Sequence, residues 1–196
     1  MRPNLSLQKL KAFLKPGGVY RRQDLLAYST NIDRALATLL QAGILHREQY
    51  GLYYCPIHSE FGPAKPREQD LIKAFLRDDR FVVYSPNLFN SLGLGTTQLY
   101  NTRIVFNRKR VGEYTLANRT YSFYRWREAP KELSKEFLVV EFLNKSSELS
   151  ENTETAIAVL KTKMPQFDNR KLLFAARHYG KTSTYQKLLA LLSDNE

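Results

Sequence analysis

The feature that most constrains this chain is a strongly amphipathic stretch at residues 32–41, which lies between a polar turn and a glycine. Its apolar residues recur at helical spacing, at Ile32, Ala35, Leu36, Leu39 and Leu40. The turn before it predicts that Ser29 or Thr30 caps the helix. Gly43 stands where helices commonly end on a residue in the left-handed region. Because such a stripe must be buried against other elements, a small helical core is predicted around it.

The patterns on either side of this helix define a domain type. An apolar face at helical spacing predicts a first helix that ends at residues 16–18, and residues 23–27 predict a short second helix. Residues 44–54 form two β-rich pieces around a glycine-containing turn, which is typical of a hairpin. Three helices followed by a hairpin predict a winged helix-turn-helix, whose third helix would lie in the major groove of DNA.

The outer face of the third helix carries side chains that can read DNA bases. They fall at i, i+3, i+7 and i+10, opposite the apolar stripe, and are Asn31, Arg34, Thr38 and Gln41. The nearby Arg21, Arg22 and Arg47 are expected to lie close to the phosphates. Two alternatives stay open, because the same face suits the solvated side of an amphipathic helix or a module that binds proteins.

The charge balance favours a polyanionic partner, since the formal net charge is +11 and the pI is about 9.7. The alternative is a merely soluble basic protein. Cys55 is the single cysteine, which excludes an intramolecular disulfide and favours a reducing compartment. No apolar run approaches the roughly 20 residues of a membrane-spanning helix, and no secretory signal is recognisable. A cytoplasmic location without membrane contact is therefore expected.

A proline-rich break at residues 56–66 divides the chain. The predicted organisation is a winged helix-turn-helix at residues 1–56, a linker at 57–66 and a larger domain at 67–196. In that larger domain, strand patterns come first and helical patterns follow from Ser134 onward. This order predicts the α+β class, with antiparallel strands followed by helices, rather than alternating α/β.

A second basic stretch lies among the predicted strands of the larger domain, interleaved with aromatic residues. Its basic residues are Arg103, Arg108, Lys109, Arg110, Arg119, Arg125 and Arg127. A basic, aromatic-rich sheet suits nucleic acid through phosphate contacts and stacking. It equally suits an acidic protein partner, or a sheet whose aromatic rings are core and whose arginines are solvated.

The sequence shows no convincing catalytic constellation. Gly180-Lys181-Thr182 looks like the end of a phosphate-binding P-loop, but Ala175 replaces the required glycine and a helix precedes it. Cys55 and His58 cannot be extended to four metal ligands. Glu136 and Glu141 are spaced at i and i+5, which does not place them on one helix face. We therefore expect no catalytic residues, no metal, no cofactor and no enzymatic activity.

The chain resembles the AbiEi-type antitoxins of type IV toxin–antitoxin systems, which act in phage defence by abortive infection. In the N-terminal region the resemblance rests on residues 19–25, 34–36, 40–45 and 51–54. In the C-terminal region it rests on residues 84–87 (YSPN), 93–98 (GLGTTQ) and 105–107 (VFN), with Arg110. Together these segments span most of the chain.

The resemblance implies a winged helix that represses its own operon by binding repeats in the promoter. It also implies a C-terminal domain that counteracts a nucleotidyltransferase-type toxin, generally without a tight complex. The matching recognition-helix positions are Thr30, Asn31, Arg34 and Thr38, and the wing covers residues 47–51, which include Arg47 and Gln49. It assigns no antitoxin residue in this chain.

Two other functions are compatible with the same residues. One is a stand-alone transcriptional regulator whose C-terminal domain dimerises or senses a ligand. The other is an enzyme that processes nucleic acid through the arginine- and aromatic-rich sheet.

Overall fold

The structure, a computed structural model, describes residues 5–60, 62–94, 99–146, 148 and 153–193. They form two compact units, one comprising residues 1–79 with 115–120, and the other residues 80–114 with 121–196. Within the described ranges, no helix combines the length and the apolar character needed to cross a membrane.

The first unit has the element order and the sheet order of a winged helix-turn-helix. Its helices are α1 (Leu5–Phe13), α2 (Arg22–Leu25), α3 (Ile32–Gln41) and α4 (Glu68–Leu76). Its strands are β1 (Val19–Arg21), β2 (His46–Arg47), β3 (Leu52–Tyr54), β4 (Ile57–Ser59) and β5 (Gly62–Ala64). Strand β3 lies between β1 and β2 and is antiparallel to both, so the predicted hairpin is completed by a third strand from before α2.

The apolar stripe of α3 forms the middle of the core of this unit. Ile32, Ala35, Leu36 and Leu39 are buried together with Leu10, Leu25 and Leu45. Gly43 follows α3 with a φ of 67°, as the sequence predicts. The predicted cap is wrong, because the N-cap of α3 is Asn31 and neither Ser29 nor Thr30.

The physical reason is the surroundings of Ser29. Its side chain is buried, and its hydroxyl pairs with Ser6 Oγ of α1 at 2.8 Å. The hydroxyl therefore holds α1 against the turn. Helix α3 begins at Ile32, so Thr30 lies one residue too early and Asn31 occupies the cap position, where its side chain accepts from the Arg34 amide.

The segment predicted as a linker is a two-stranded hairpin. Strands β4 and β5 pair antiparallel, with Ile57 opposite Ala64, and Ser59 Oγ donates to the Gly62 carbonyl at 2.9 Å. Helix α4, expected in the second domain, belongs to the first compact unit. The reason is Arg21, whose guanidinium donates to the carbonyls of Ala74 and Phe75 at the end of α4. The chain therefore divides near residue 79 rather than at residues 57–66.

A four-stranded sheet followed by four helices makes up most of the second unit, so the α+β class is confirmed. Residues 115–120, which include the turn between the last two strands in the chain, are grouped with the first unit. The strands are β6 (Phe81–Tyr84), β7 (Arg103–Asn107), β8 (Gly112–Leu116) and β9 (Arg119–Arg125), in the order β6-β7-β9-β8. The helices are α5 (Lys135–Lys145), α6 (Thr153–Lys163), α7 (Asn169–Tyr179) and α8 (Thr182–Ser193). Of the 93–98 motif, residues 95–98 lie outside the described part of the chain.

The expectation of purely antiparallel strands is wrong, because β7 and β9 pair in parallel. Asn107 fixes this arrangement at the end of β7, where its side chain is fully buried. Its Oδ1 accepts from the backbone amides of Lys109 and Arg110 at 2.8 and 2.7 Å, and its amide donates to the Tyr124 carbonyl at 3.1 Å. Strand β8 therefore forms at the edge of the sheet, one strand position away from β7. The tight turn after β8 then places β9 between β7 and β8.

Helix α5 is the centre of this unit, since every residue from Glu136 to Lys145 is buried. The Glu141 carboxylate accepts hydrogen bonds from Tyr84 Oη at 2.5 Å and from Asn144 Nδ2 at 2.7 Å. Burial raises the pKa of the Tyr84 hydroxyl well above its ordinary value, and the charge of Glu141 raises it further. Tyr84 therefore stays a donor at neutral pH, and Glu141 is part of the fold.

We expect Tyr84→Phe to lower the free energy of unfolding by about 1.5–3 kcal/mol, because it removes a hydrogen bond to a buried carboxylate. Urea denaturation followed by circular dichroism measures the change. The matched control is Tyr185→Phe, since the hydroxyl of this half-buried tyrosine has no hydrogen bond to a described residue. Equal losses in the two variants would contradict the role given to the Tyr84–Glu141 bond.

Candidate nucleic-acid interface

The outer face of α3 presents the predicted base-reading residues together. All four are exposed and lie within about 80° of arc around the helix axis, opposite the buried stripe; they are Asn31, Arg34, Thr38 and Gln41. Thr30 is exposed immediately before them. A single helix face thus carries an amide, a guanidinium, a hydroxyl and a second amide, which are donor and acceptor groups found in base recognition.

Asn31 has a structural role as well as an exposed side chain. Its Oδ1 accepts a hydrogen bond from the backbone amide of Arg34 at 3.4 Å, which caps the helix. Because the cap uses the oxygen, the Nδ2 group is what Asn31 offers to a ligand. The sequence signal for this double role is an asparagine one position before the first buried residue of the stripe.

Arg34 is the cation that this face presents without an internal partner. It is exposed, and no described residue makes a hydrogen bond or an ion pair with its guanidinium. Thr38 Oγ1 donates to the Arg34 carbonyl at 3.0 Å, so its hydroxyl keeps acceptor capacity but has used its proton. Arg34 is therefore the residue on α3 best suited to a bidentate contact.

Arg22 and Asp33 form a bidentate ion pair between α2 and α3. Arg22 Nε and Nη2 donate to the two carboxylate oxygens of Asp33, both at 2.8 Å. These hydrogen bonds hold the pKa of the Asp33 carboxyl below its usual value. Since that pKa is lowered, the pair persists at neutral pH and is lost only in acid. The pair occupies two of the five N–H donors of Arg22, and the adjacent carboxylate would oppose a phosphate at the others.

Arg21 differs from the other predicted phosphate contacts. Its side chain is half-buried, and its guanidinium donates to Ala74 O at 2.7 Å and to Phe75 O at 2.5 Å. These carbonyls belong to the last turn of α4, where helices leave acceptors unsatisfied. The structure therefore gives Arg21 a role in the fold, at the end of α4, rather than on the exposed surface beside α3.

The wing is a short 3₁₀ turn at Gln49–Gly51 between β2 and β3. Tyr50 has a φ of 58°, and its ring centroid lies 5.2 Å from that of Phe75 in α4. This contact, which the sequence did not indicate, anchors the tip of the wing. Arg47 and Gln49 are exposed beside it, so the wing offers one guanidinium and one amide.

The second predicted basic set does not form one surface. Arg119 lies in the first unit, where it pairs with Glu68 at 3.2 Å. Arg110 packs over the ring of Tyr114, with 5.7 Å from Cζ to the ring centroid. Arg103 begins β7 and is half-buried, whereas the exposed Lys109 and Arg125 lie beyond the ends of β7 and at the end of β9.

Arg108 and Arg127, in contrast, line one cleft of about 550 Å³ in the second unit. The same cleft contains Arg80 and Lys131, two cations that the sequence analysis missed. No linear motif connects these four positions, and the strand order and the loop after β9 bring them together. Charge was the one available signal, and it did not distinguish them from other surface cations.

The aromatic residues of this sheet are mostly core. Phe106, Tyr121 and Phe123 are buried, while Tyr124 remains 43% exposed. The interpretation of these rings as a stacking surface on the sheet is therefore wrong for the buried three. Phe106 belongs to the core cluster that contains α5, whereas Tyr121 and Phe123 are buried on the opposite face of the sheet.

The part of the chain that the structure describes contains no group of three or more His, Cys, Asp or Glu side chains arranged to hold a metal ion. Cys55 is buried, and burial raises the pKa of its thiol.

Comparison with known proteins identifies a similar fold but no family. No family model and no curated protein matches the chain in sequence. Among solved structures, the Rv2827c protein from Mycobacterium tuberculosis is similar, with a TM-score of 0.54 and 16% sequence identity. The similarity covers 96% of this chain and 75% of that chain. At this identity the likeness shows a shared fold alone.

The cap role of Asn31 can be tested by two substitutions. We expect Asn31→Ala to lower the free energy of unfolding by about 0.5–2 kcal/mol, and Asn31→Ser to retain most of it, because serine also caps helices. Thermal and urea denaturation measure both. A loss for Asn31→Ser as large as that for Asn31→Ala would contradict the cap.

Proposed function

We propose that this protein is a cytoplasmic, non-enzymatic DNA-binding transcriptional repressor of its own promoter and the antitoxin to a nucleotidyltransferase-type toxin. The observation that carries the DNA-binding part is the outer face of α3, where Arg34 stands exposed beside Asn31, Thr38 and Gln41. A winged helix-turn-helix presents this helix to the major groove. The net charge of +11 favours the approach of a polyanion.

Base reading would rest on Arg34 and Gln41, and Asn31 would add a donor through its Nδ2 group. A guanidinium makes its best specific contact with the O6 and N7 of guanine, whereas an amide pairs with adenine. Arg47 and Gln49 in the wing would hold the backbone phosphates on one side of the groove. Thr30 would add a hydroxyl contact at the start of the face, and Thr38 would add one between Arg34 and Gln41.

Arg22 would act as a conditional phosphate contact. In the free protein two of its five N–H donors are bound to Asp33, whose negative charge lies on α3 itself. A phosphate that replaces the carboxylate must overcome both the hydrogen bonds and the repulsion by Asp33. This exchange would weaken binding to DNA that does not fit the helix face, and so would favour the specific site.

The antitoxin part rests on the family resemblance of the sequence, and it concerns the second unit. Co-expression of this protein with a nucleotidyltransferase from the same operon tests this part, and the lack of such a gene would favour a stand-alone regulator. Restored growth supports it, including with a chain that carries Arg34→Ala, because repression and neutralisation would reside in different units. A toxin that remains fully active at matched expression would leave a stand-alone regulator as the better description.

The DNA-binding part is tested with a duplex taken from the DNA upstream of the protein's own gene, the upstream duplex. We expect Arg34→Ala to weaken binding to it by about 1–3 kcal/mol, with a much smaller loss on a scrambled duplex. Fluorescence anisotropy at several salt concentrations measures both affinities. Arg67→Ala is the matched control, since Arg67 is exposed in the same unit but lies before α4. An equal loss on both duplexes would reduce Arg34 to a phosphate contact, and no loss on either would remove α3 from the interface.

The ion pair gives a prediction of opposite sign. Asp33→Asn should increase the affinity for DNA and steepen the dependence of log K on log salt by about 0.9, because Arg22 becomes available for one more phosphate. The same titration on Asp79→Asn, an exposed carboxylate of the same unit, controls for net charge. Equal gains in the two variants would show that only overall charge matters.

A further inference from the structure

The exposed face of α7 combines cations with an unusually accessible aromatic ring. Leu172, Ala175 and Ala176 point into the core, and the opposite face is solvent-accessible. That face carries Arg170, Lys171, Phe174, Arg177 and His178. Their helical spacing confines them to about 120° of arc, so they form one stripe.

Phe174 is at the centre of this stripe and is 55% exposed. Its ring stacks on that of His178, with centroids 4.0 Å apart and planes at 26°. The position of the pair is fixed, since His178 Nδ1 lies 2.8 Å from the Phe174 carbonyl and Trp126 Nε1 donates to the His178 carbonyl at 2.8 Å. A supported ring with a large exposed area is an apolar platform on a polar surface.

Two clefts reach this platform, and a third shares residues with both of them. The cleft of about 550 Å³ shares Lys131 and Tyr179 with a second of about 540 Å³, which reaches Phe174. It shares Arg127 with a third of about 340 Å³, which reaches His178. The three clefts are therefore parts of one groove along residues 126–134 and α7.

The groove is strongly cationic. Seven basic side chains line it against two acidic ones, and the basic ones are Arg80, Arg108, Arg127, Lys131, Arg170, Lys171 and Arg177. The acidic residues are Glu128 and Glu132, and Glu128 lies 4.0 Å from His178 Nε2. A row of cations of this length matches successive phosphates better than a single small anion.

We propose that this groove, with Phe174 as its stacking platform, binds single-stranded nucleic acid in the second unit. The cations would follow the backbone phosphates, and an unpaired base would stack on the Phe174 ring. A duplex keeps its bases stacked on one another and has no unpaired base for the ring, whereas a peptide of Asp and Glu has no aromatic ring to stack on it. This site is separate from the recognition helix and does not depend on the proposed function.

The test uses the full chain and two probes, fluorescein-labelled 12-mers of oligo(dT) and oligo(U), measured by anisotropy. We expect Phe174→Ala to weaken binding about 5- to 100-fold, as for the loss of one stacked base, and Phe174→Trp to restore it. Leu189→Ala, which truncates a leucine of α8 that is 43% exposed, is the control for loss of apolar surface. Because Phe174 is exposed, its truncation should leave the melting temperature close to that of the unaltered chain.

The contribution of charge is tested by Arg127→Ala against Arg125→Ala, an exposed arginine of the same unit that does not line the groove. Arg127→Ala should reduce both affinity and the salt dependence, by about 0.7 in the slope of log K against log salt. The proposal is overturned if Phe174→Ala binds like the unaltered chain, or if Leu189→Ala loses as much. It is also overturned if a 12-bp duplex or a polyglutamate peptide of equal charge binds as tightly and responds to Phe174→Ala in the same way. Binding to the upstream duplex uses another ligand and other variants, so either proposal can fail alone.

Discussion

The second unit depends on how a helix that is buried on all sides satisfies its polar groups. In α5, the Glu141 carboxylate is held by Tyr84 of β6 and by Asn144 one turn later. Asn144 then accepts from the Lys181 amide and the Thr184 hydroxyl, at 2.9 and 2.7 Å, and donates to the Tyr179 carbonyl at 3.0 Å. These bonds fix the connection between α7 and α8. A buried group left unsatisfied would cost about 1–3 kcal/mol, so the network also fixes where α7 ends and which side chains it turns outward.

In the first unit, most polar side chains near the outer face of α3 stabilise the fold, and one is left exposed without such a role. Asn31 caps α3, Arg22 joins α2 to α3 through Asp33, and Arg21 completes the end of α4. Arg34 differs from these residues because no described side chain binds its guanidinium. A residue with a role in the fold cannot be optimised for a ligand alone, and it is already oriented before a ligand arrives. In this arrangement Arg34 is the side chain most free to adapt to a base, and the others hold the helix that presents it.

The elements that could be predicted from the sequence are those whose signals are local. The apolar stripe predicts the helix α3, and Gly43 predicts where it ends, because both signals depend on residues only a few positions apart. The parallel pairing of β7 and β9 depends on Asn107 and Tyr124, which are 17 positions apart, and no local pattern reports it. The hairpin of β4 and β5 contains one proline and one glycine and is flanked by two more prolines, a composition typical of a linker, and no local pattern shows that the two short strands pair. The candidate sites follow the same rule, since the α3 face was predictable, whereas Arg80 and Lys131 join Arg108 and Arg127 only in the folded chain.

A net charge of +11 favours the approach of a polyanion, but it does not determine what either unit would recognise. Exposed cations are screened by salt in much the same way wherever they lie, with a Debye length of about 8 Å at physiological ionic strength. Discrimination must therefore come from groups whose effect depends on geometry. On α3 these are hydrogen-bonding side chains on a convex helix, which fit the edges of paired bases in a groove. Along α7 the corresponding group is an exposed ring among cations, which fits the face of an unpaired base. The two surfaces differ in the part of a base that they can contact, and this difference, more than the total of +11, assigns them different ligands.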